Sequence, residues 1–390
     1  DEHWLLLVLH ELAVDGRSVR LLLRELAALY GQVAAEGVSE VVSSPDQYEE
    51  VVARGAAVSV QQDQQCQYWL EQLAGAPPVL ELPADHPRPA QRNGEGARMP
   101  LTVPPELVAQ LEVVNRRDNC SLFVTLLSGF ATLLHRYTRC SDLVIGTVAA
   151  GAMADLPEDL VFNADNLLAL RCRLEGNPTF REVVRRMNET TTEAMAHGDV
   201  PFFEVVRRVN LRCQPGYARV FQTALVLEPE LVPESSFAPI QFQPLAIDNR
   251  TSKLDLLLHL VRGAGQVSGW IEYRSNLFEP ARISRLIEHW LTLLTAAAAN
   301  PEQSISTLPL MASAETTRVL VEWNQTQRPY SLEQTIPGLF LAQARRSPKA
   351  EALVAGEARW TYQQLEARSR QIAVHLQRLG AGPERLVGVC

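Results

Sequence analysis

The chain has 390 residues, a formal net charge of −9 at pH 7, 46% hydrophobic and 21% charged residues. Such a length accommodates two or three domains, each with its own core. Ordinary glycine and proline contents exclude a collagen-like or largely disordered chain, and the acidic balance argues against a uniformly basic nucleic-acid surface.

Residues 4–9 (Trp-Leu-Leu-Leu-Val-Leu) form an apolar run too short for a helix, which predicts a buried strand. A loop follows from His10 to Gly16, where a glycine at φ > 0 would let the chain reverse. Ser18 then suits the N-cap of a helix reaching about Tyr30, with Val19, Leu22, Leu23, Leu26 and Leu29 on one face. A helix through Tyr68, Trp69 and Leu73 stops near Gly75. Residues 83–98 lack periodicity and predict a surface crossing. Residues 104–115 predict a short helix. Ser121 caps the strongest helix, with Phe123, Leu126, Leu127, Phe130, Leu133 and Leu134 in an i, i+3, i+4 stripe.

Beyond it, strands are expected at 142–148, 166–173, 220–227, 253–261 and 266–273, and helices at 180–196, 202–209 and 280–298. The fold class is α/β with paired strands and flanking helices. A polar, proline-punctuated stretch near 300–328 marks a boundary. A helix (335–346), a short strand (352–354), a helix (363–379) and a final strand (385–389) complete the pattern.

The six cysteines, Cys66, Cys120, Cys140, Cys172, Cys213 and Cys390, are scattered without a C-x-x-C pair. This predicts reduced thiols in a cytoplasmic protein rather than a disulfide scaffold or a metal site. No apolar run approaches the ~20 residues needed to span a bilayer. The first residues carry neither an initiator Met nor a signal-peptide pattern, and the last predicted strand is cut at residue 390, which reads as a piece of a longer chain.

His10 and Glu11 at a strand end place two proton-transferring groups beside a turn that also holds Asp15. On the residues alone two readings stand open: a base facing a cleft, or a structural polar cluster. His135, His197 and Asp199 read as structural. Cys120, Cys140 and Cys172 read as core fillers. The arginine-rich stretches 181–186 and 207–212 read as solvated helix faces, one of which could meet an acidic protein.

The segment His10-Glu11-Leu12-Ala13-Val14-Asp15-Gly16 resembles the His-His-x-x-x-Asp-Gly signature of nonribosomal peptide synthetase condensation domains. The resemblance continues in family order. It runs through 68–78 and 80–85, 123–138 with 143–147, and Asn166 to Arg171. It goes on through His197 to Phe202, Phe221-Gln222, and Ser252-Lys253-Leu254-Asp255. Residues 360–365 and 385–389 resemble the opening of an adenylation domain.

The resemblance implies a chloramphenicol-acetyltransferase-like fold over 1–311 that lacks most of its N-terminal lobe. It implies a linker over 312–333 and the N-terminal part of an adenylation domain over 334–390. It further implies amide formation between a carrier-bound aminoacyl or peptidyl thioester and an acceptor amine, each on phosphopantetheine. The partners are then carrier proteins and neighbouring synthetase domains, with no nucleic acid and no membrane. ATP belongs only to the remainder of the adenylation domain.

Carried over, His10 takes the first histidine position, Asp15 the structural one and Gly16 the turn, while Glu11 stands where the second histidine belongs. Asn166, Gln222 and Ser252 fall at substrate-side motifs. The His→Glu departure leaves three readings: a tuned carboxylate base, a domain that modifies rather than condenses, or a catalytically silent docking platform. Heterocyclisation is disfavoured because that subfamily carries Asp where His10 stands. Epimerisation is disfavoured because an adenylation segment follows directly. A lone piece with one full tunnel wall is expected to be inactive.

Overall fold

The computed structural model of the chain describes residues 3–10, 12–36, 62–150, 160–209, 214–230, 245, 247–263, 265–329 and 333–389. The chain divides into two compact units, Asp1–Thr316 and Thr317–Cys390.

In the first unit the described elements run α1 (Gly16–Glu36), α2 (Gln62–Leu73), β1 (Ala97–Val103), α3 (Pro105–Asp118), α4 (Leu122–Thr138), β2 (Asp142–Ala150), β3 (Asp165–Arg173), α5 (Phe180–Ala196), α6 (Phe202–Val209), β4 (Thr223–Pro229), β5 (Leu256–Arg262), β6 (Val267–Tyr273) and α7 (Pro280–Ala299). A further helix, α8 (Ser313–Leu320), crosses the division between the units. The six strands form one mixed sheet in the order β1-β6-β5-β4-β2-β3. The β4–β5 and β2–β4 pairs are parallel and the others antiparallel.

Strand alternation sorts the side chains between two faces. Ile145 pairs with Leu170 and Thr223, and Leu258 pairs with Leu225 and Ile271. These positions share the face covered by α4, α5 and α7, where Trp290, Phe130 and Phe180 are fully buried. The other face presents Val226, Glu228, His259, Trp270, Glu272 and Arg98. It borders the candidate site.

Local signals explain the elements that hold this core. Ser121 accepts the Val124 N–H at 3.3 Å, and α4 is buried from Val124 to Leu134. Thr179 caps α5 in the same way through Glu182 N at 3.3 Å. Gly75 closes α2 at φ +68.

Five expectations need correction. Residues 4–9 form no strand and pair with none among the described residues, and Trp4 and Val8 are 80% and 85% exposed. A strand needs a hydrogen-bonded neighbour, and an apolar run alone does not supply one. Ser18 is not the cap of α1, because Asp15 is. Gly16 does not take a positive φ; it opens the helix. The crossing at 83–98 ends in β1, whose Pro100 is tolerated because β1 is an edge strand. Residues 385–389 are exposed and form no strand.

The second unit contains a one-turn 3₁₀ helix (Glu322–Asn324), α9 (Ile336–Arg346), a hairpin of β7 (Glu351–Ala355) with β8 (Ala358–Thr361), and α10 (Tyr362–Arg378). Thr361 and Gln364 form a capping box at the start of α10. Among the described residues no helix is long and apolar enough to cross a membrane.

Candidate functional site

The candidate site is built around the turn that leads into α1. His10 is exposed, and its carbonyl accepts the Ala13 N–H at 2.9 Å. Its ring Nδ1 accepts the Leu12 N–H at 3.1 Å, so the neutral imidazole carries its proton on Nε2. Glu11 lies outside the described residues.

Asp15 is buried and uses both carboxylate oxygens on backbone donors. Oδ1 accepts from Ser18 N at 2.7 Å, capping α1, and Oδ2 accepts from Ala164 N at 2.9 Å, at the entry to β3. Ser18 ties the same two segments together: its hydroxyl accepts from Phe162 N at 3.0 Å and donates to Phe162 O at 2.5 Å. The turn is thereby fastened to the segment that precedes β3.

Charged groups from three elements gather beside it. Oε2 of Glu228, on β4, lies 3.6 Å from where a Gly16 side chain would begin. His259 on β5 approaches Glu228 at 3.6 Å. His259, and after it Arg20, hold the Glu228 carboxyl below the usual carboxylate range. Asp165 at the start of β3 moves the other way, to about 6, through desolvation by its surroundings and then the charges of Asp15 and Glu228. Asp15, Asp165 and Glu228 thus gather beside Arg20 and His259.

The remaining predicted site residues are tied into separate backbone clamps. Asn166 donates through Nδ2 to Gly198 O and Val200 O, both at 2.7 Å, and accepts from Phe202 N at 3.0 Å. It fixes the turn into α6, and His197 lies stacked on Tyr68 at 4.0 Å in the same neighbourhood. Gln222 accepts from Leu80 N at 2.6 Å and donates to Ala218 O at 2.8 Å. Just before it, Val220 sits at φ +71, a strained conformation for a β-branched residue. That geometry helps seat Phe221 on Gly146, where an added Cβ would stand 2.2 Å from the ring. Ser252 is buried and donates to Leu254 O at 2.7 Å, while its N–H reaches Gly94 O at 2.9 Å.

Asp255 anchors the largest polar node. Arg88 grips it with two hydrogen bonds, 2.9 and 2.6 Å, and Arg274 lies 3.7 Å away. Both arginines donate to Gly216 O, and the Arg88 guanidinium lies 3.9 Å over the Tyr217 ring. Arg88 was legible only as part of an aperiodic crossing. Arg274, Glu228, His259 and Trp270 carried no motif, although pairing β5 with β6 places His259 opposite Trp270 on the outward face. The helix arginines are not bare: Arg185 and Arg186 pair with Glu182, Arg181 with Asp118, and Arg207 with Glu204. Of the three cysteines read as core fillers, Cys172 is buried, whereas Cys120 and Cys140 are half-buried. Cys213 and Cys390 lie outside the described residues. Among the described residues no His, Cys, Asp and Glu group is arranged to hold a metal.

Comparison with known proteins fits this arrangement. The family model described as a condensation domain matches residues 1–320, and that of an AMP-binding enzyme matches 340–390. A linear gramicidin synthase of Brevibacillus parabrevis is 36% identical over 389 residues, 99% of this chain and 8% of that protein. Bacitracin synthase 1 of Bacillus licheniformis is 30% identical over 388 residues, covering all of this chain and 7% of that protein. The chain thus spans less than a tenth of either relative. Among solved structures, the X-domain from teicoplanin biosynthesis aligns with a TM-score of 0.67 at 25% identity, over 78% of this chain and 71% of that one. The four-domain nonribosomal peptide synthetase holo-AB3403, bound to AMP and glycine, aligns with a TM-score of 0.78 at 21% identity, over 94% of this chain and 29% of that one; at that identity it speaks for the fold. With its mixed sheet, its helix-capping signature aspartate and a family match over residues 1–320, the chain belongs to the condensation-domain family of nonribosomal peptide synthetases, followed by AMP-binding-enzyme sequence.

Proposed function

We propose that this chain is the part of a synthetase that joins a carrier-bound acyl thioester to an acceptor amine, with the turn from His10 to Gly16 at the reaction centre. Residues 1–311 form the condensation part, 312–333 the linker and 334–390 the beginning of the adenylation part, in a cytoplasmic assembly. The observation that carries this reading is the anchored signature turn. Asp15 fastens it to α1 and to Ala164, so the entry into α1 is held in a fixed frame.

In the reaction the acceptor nitrogen attacks the thioester carbonyl, the C–N bond forms, the C–S bond breaks, and the phosphopantetheine thiolate takes up the proton that the amine releases. Orientation and charge stabilisation lower the barrier. The carboxylate of Asp165 draws the acceptor's ammonium group toward the turn, where it gives up one proton to solvent and attacks as the neutral amine. His10, with Nδ1 occupied by Leu12 N–H, acts as an Nε2–H donor toward developing negative charge, and Glu11 is the proton acceptor that relays the amine proton. Asn166, Gln222 and Ser252 shape the walls by holding backbone. The carriers bring both phosphopantetheine arms, and the adenylation domain uses ATP.

The likeness to the teicoplanin X-domain, which has also been solved in complex with OxyB, supports a second reading in which a carboxylate at position 11 marks a silent docking platform. Two variants in the synthetase that carries this chain separate the readings. In the first reading Glu11→Gln abolishes product and Glu11→His preserves it, by mass spectrometry of carrier-bound intermediates. Unchanged product in both variants leaves the docking reading.

A further inference from the structure

The outward face of the sheet carries a row of side chains that runs toward the signature turn. Register places His259 opposite both Val226 on β4 and Trp270 on β6. The imidazole lies flat on the indole, with centroids 4.3 Å apart and planes 9° apart. On its own side, Arg98 lies 5.0 Å from the Trp270 ring and is held by Glu272 at 3.0 Å and Ile247 O at 2.9 Å. Stacking and cross-strand pairing leave the His259 ring little rotational freedom. Its Nδ1 is buried without a partner, and Nε2 is the nitrogen that approaches Glu228.

Glu228 is the last member of this row. Its Oε2 meets the first turn of α1 at Gly16, 3.6 Å from the point where a side chain would begin. A helix N-terminus has unpaired N–H groups and a positive dipole end, so a carboxylate there holds the turn electrostatically. Asp15 fastens the signature turn to the β3 side. Glu228 meets it from β4.

We propose that Glu228 and His259 are positioning residues of the signature turn: His259, fixed by Trp270, holds the Glu228 carboxylate against the first turn of α1 and so sets the attitude of Leu12–Gly16 relative to the sheet. The catalytic consequence rests on the condensation reading, but the clamp itself does not. It acts on placement of the reacting groups, so its loss reduces turnover more than acceptor binding.

The test uses the synthetase carrying this chain, with Glu228→Gln, His259→Gln, the double variant, and Trp270→Phe, which keeps an aromatic ring for stacking. Two readouts are taken: amide hydrogen exchange over residues 12–20, and product formation with loaded carriers. Both single variants are expected to exchange faster over 12–20. Their kcat should fall about tenfold with acceptor KM within about twofold. The double variant should be no worse than the worse single one, and Trp270→Phe should stay within about twofold of wild type. Unchanged exchange over 12–20 in both single variants overturns the clamp. So does a loss of turnover that merely tracks a fall in Tm. If the wild type forms no product while both variants still loosen 12–20, the condensation reading falls and the clamp stands.

Discussion

Removing the Asp15 carboxylate should destabilise the first unit by about 2–4 kcal/mol, a figure built from two separate losses. The Oδ1 bond to Ser18 N caps α1, and losing an N-cap costs about 1 kcal/mol. The Oδ2 bond to Ala164 N satisfies a buried backbone donor, and leaving such a donor unpaired costs about 1–3 kcal/mol. Asp15→Ala loses both. Asp15→Ser keeps a capping oxygen but cannot reach Ala164 and should lose about half. Asp15→Asn keeps one acceptor oxygen yet sets an amide N–H₂ against the other donor, so it should fall between serine and alanine. Urea unfolding followed by the emission of the buried Trp69 and Trp290 reports this unit. A loss below about 1 kcal/mol for Asp15→Ala would refute the reasoning, because neither bond could then be as buried as described. So would an Asn variant equal to wild type.

Three further outcomes follow from the charged pairs. Breaking the Arg88–Asp255 pair by Asp255→Ala leaves Arg88 and the fully buried Arg274 without their carboxylate, which should cost about 3–5 kcal/mol in the same urea assay. Arg88→Lys should lose the bidentate geometry and the contact with Tyr217, and a near-neutral result there would count against the node. The Arg282 guanidinium lowers the Asp85 carboxyl to about 2, with the Glu279 N–H adding to the effect. Because the folded value lies below the unfolded value of about 3.9, this contribution is complete above about pH 4 and disappears as pH falls through about 2. The Tm gap between wild type and Asp85→Asn should therefore be widest at about pH 5 and close near about pH 2. It should be modest and salt-sensitive, since the pair is near the surface. An equal gap at both pH values would show that the charge is irrelevant.

The helices and inner strands were legible because each carries its own periodicity, and α4 and α5 also carry their own caps. Phe180–Ala196 and Phe202–Val209 match their expected limits, and the stripe of α4 is buried from Leu126 to Leu134 with Phe123 partly buried. What failed were features that depend on a neighbour elsewhere in the sequence. An apolar run at 4–9 reads as a strand whether or not another strand lies beside it. Pro100 hid β1, since a proline argues against a strand unless one edge is free, and only the assembled sheet shows that β1 is the edge. Ser18 matched a cap by residue type. The actual cap, three residues earlier, is settled by an aspartate whose second oxygen is needed at Ala164, 149 residues away. The row from Arg98 through Trp270 and His259 to Glu228 has no local signature, because it exists only in the register of four strands.

The motif positions share a property that bears on where chemistry resides. Asn166, Gln222, Ser252 and Asp15 each spend their polar atoms on backbone groups, and Asp255 spends its carboxylate on two arginines that also hold Gly216 O. A side chain whose lone pairs and protons are already committed cannot exchange a proton or bind an intermediate without first breaking a bond worth about 1 kcal/mol or more. Such residues fit a scaffold that fixes loops. His10 differs: it is exposed, it spends one ring nitrogen on Leu12 N–H, and Nε2 keeps the proton. A histidine in that tautomer donates rather than accepts, so the proton of the attacking amine needs another destination. Under the proposed condensation reaction, that requirement directs the test to the residue at position 11 and to the Glu228–His259 pair beside α1.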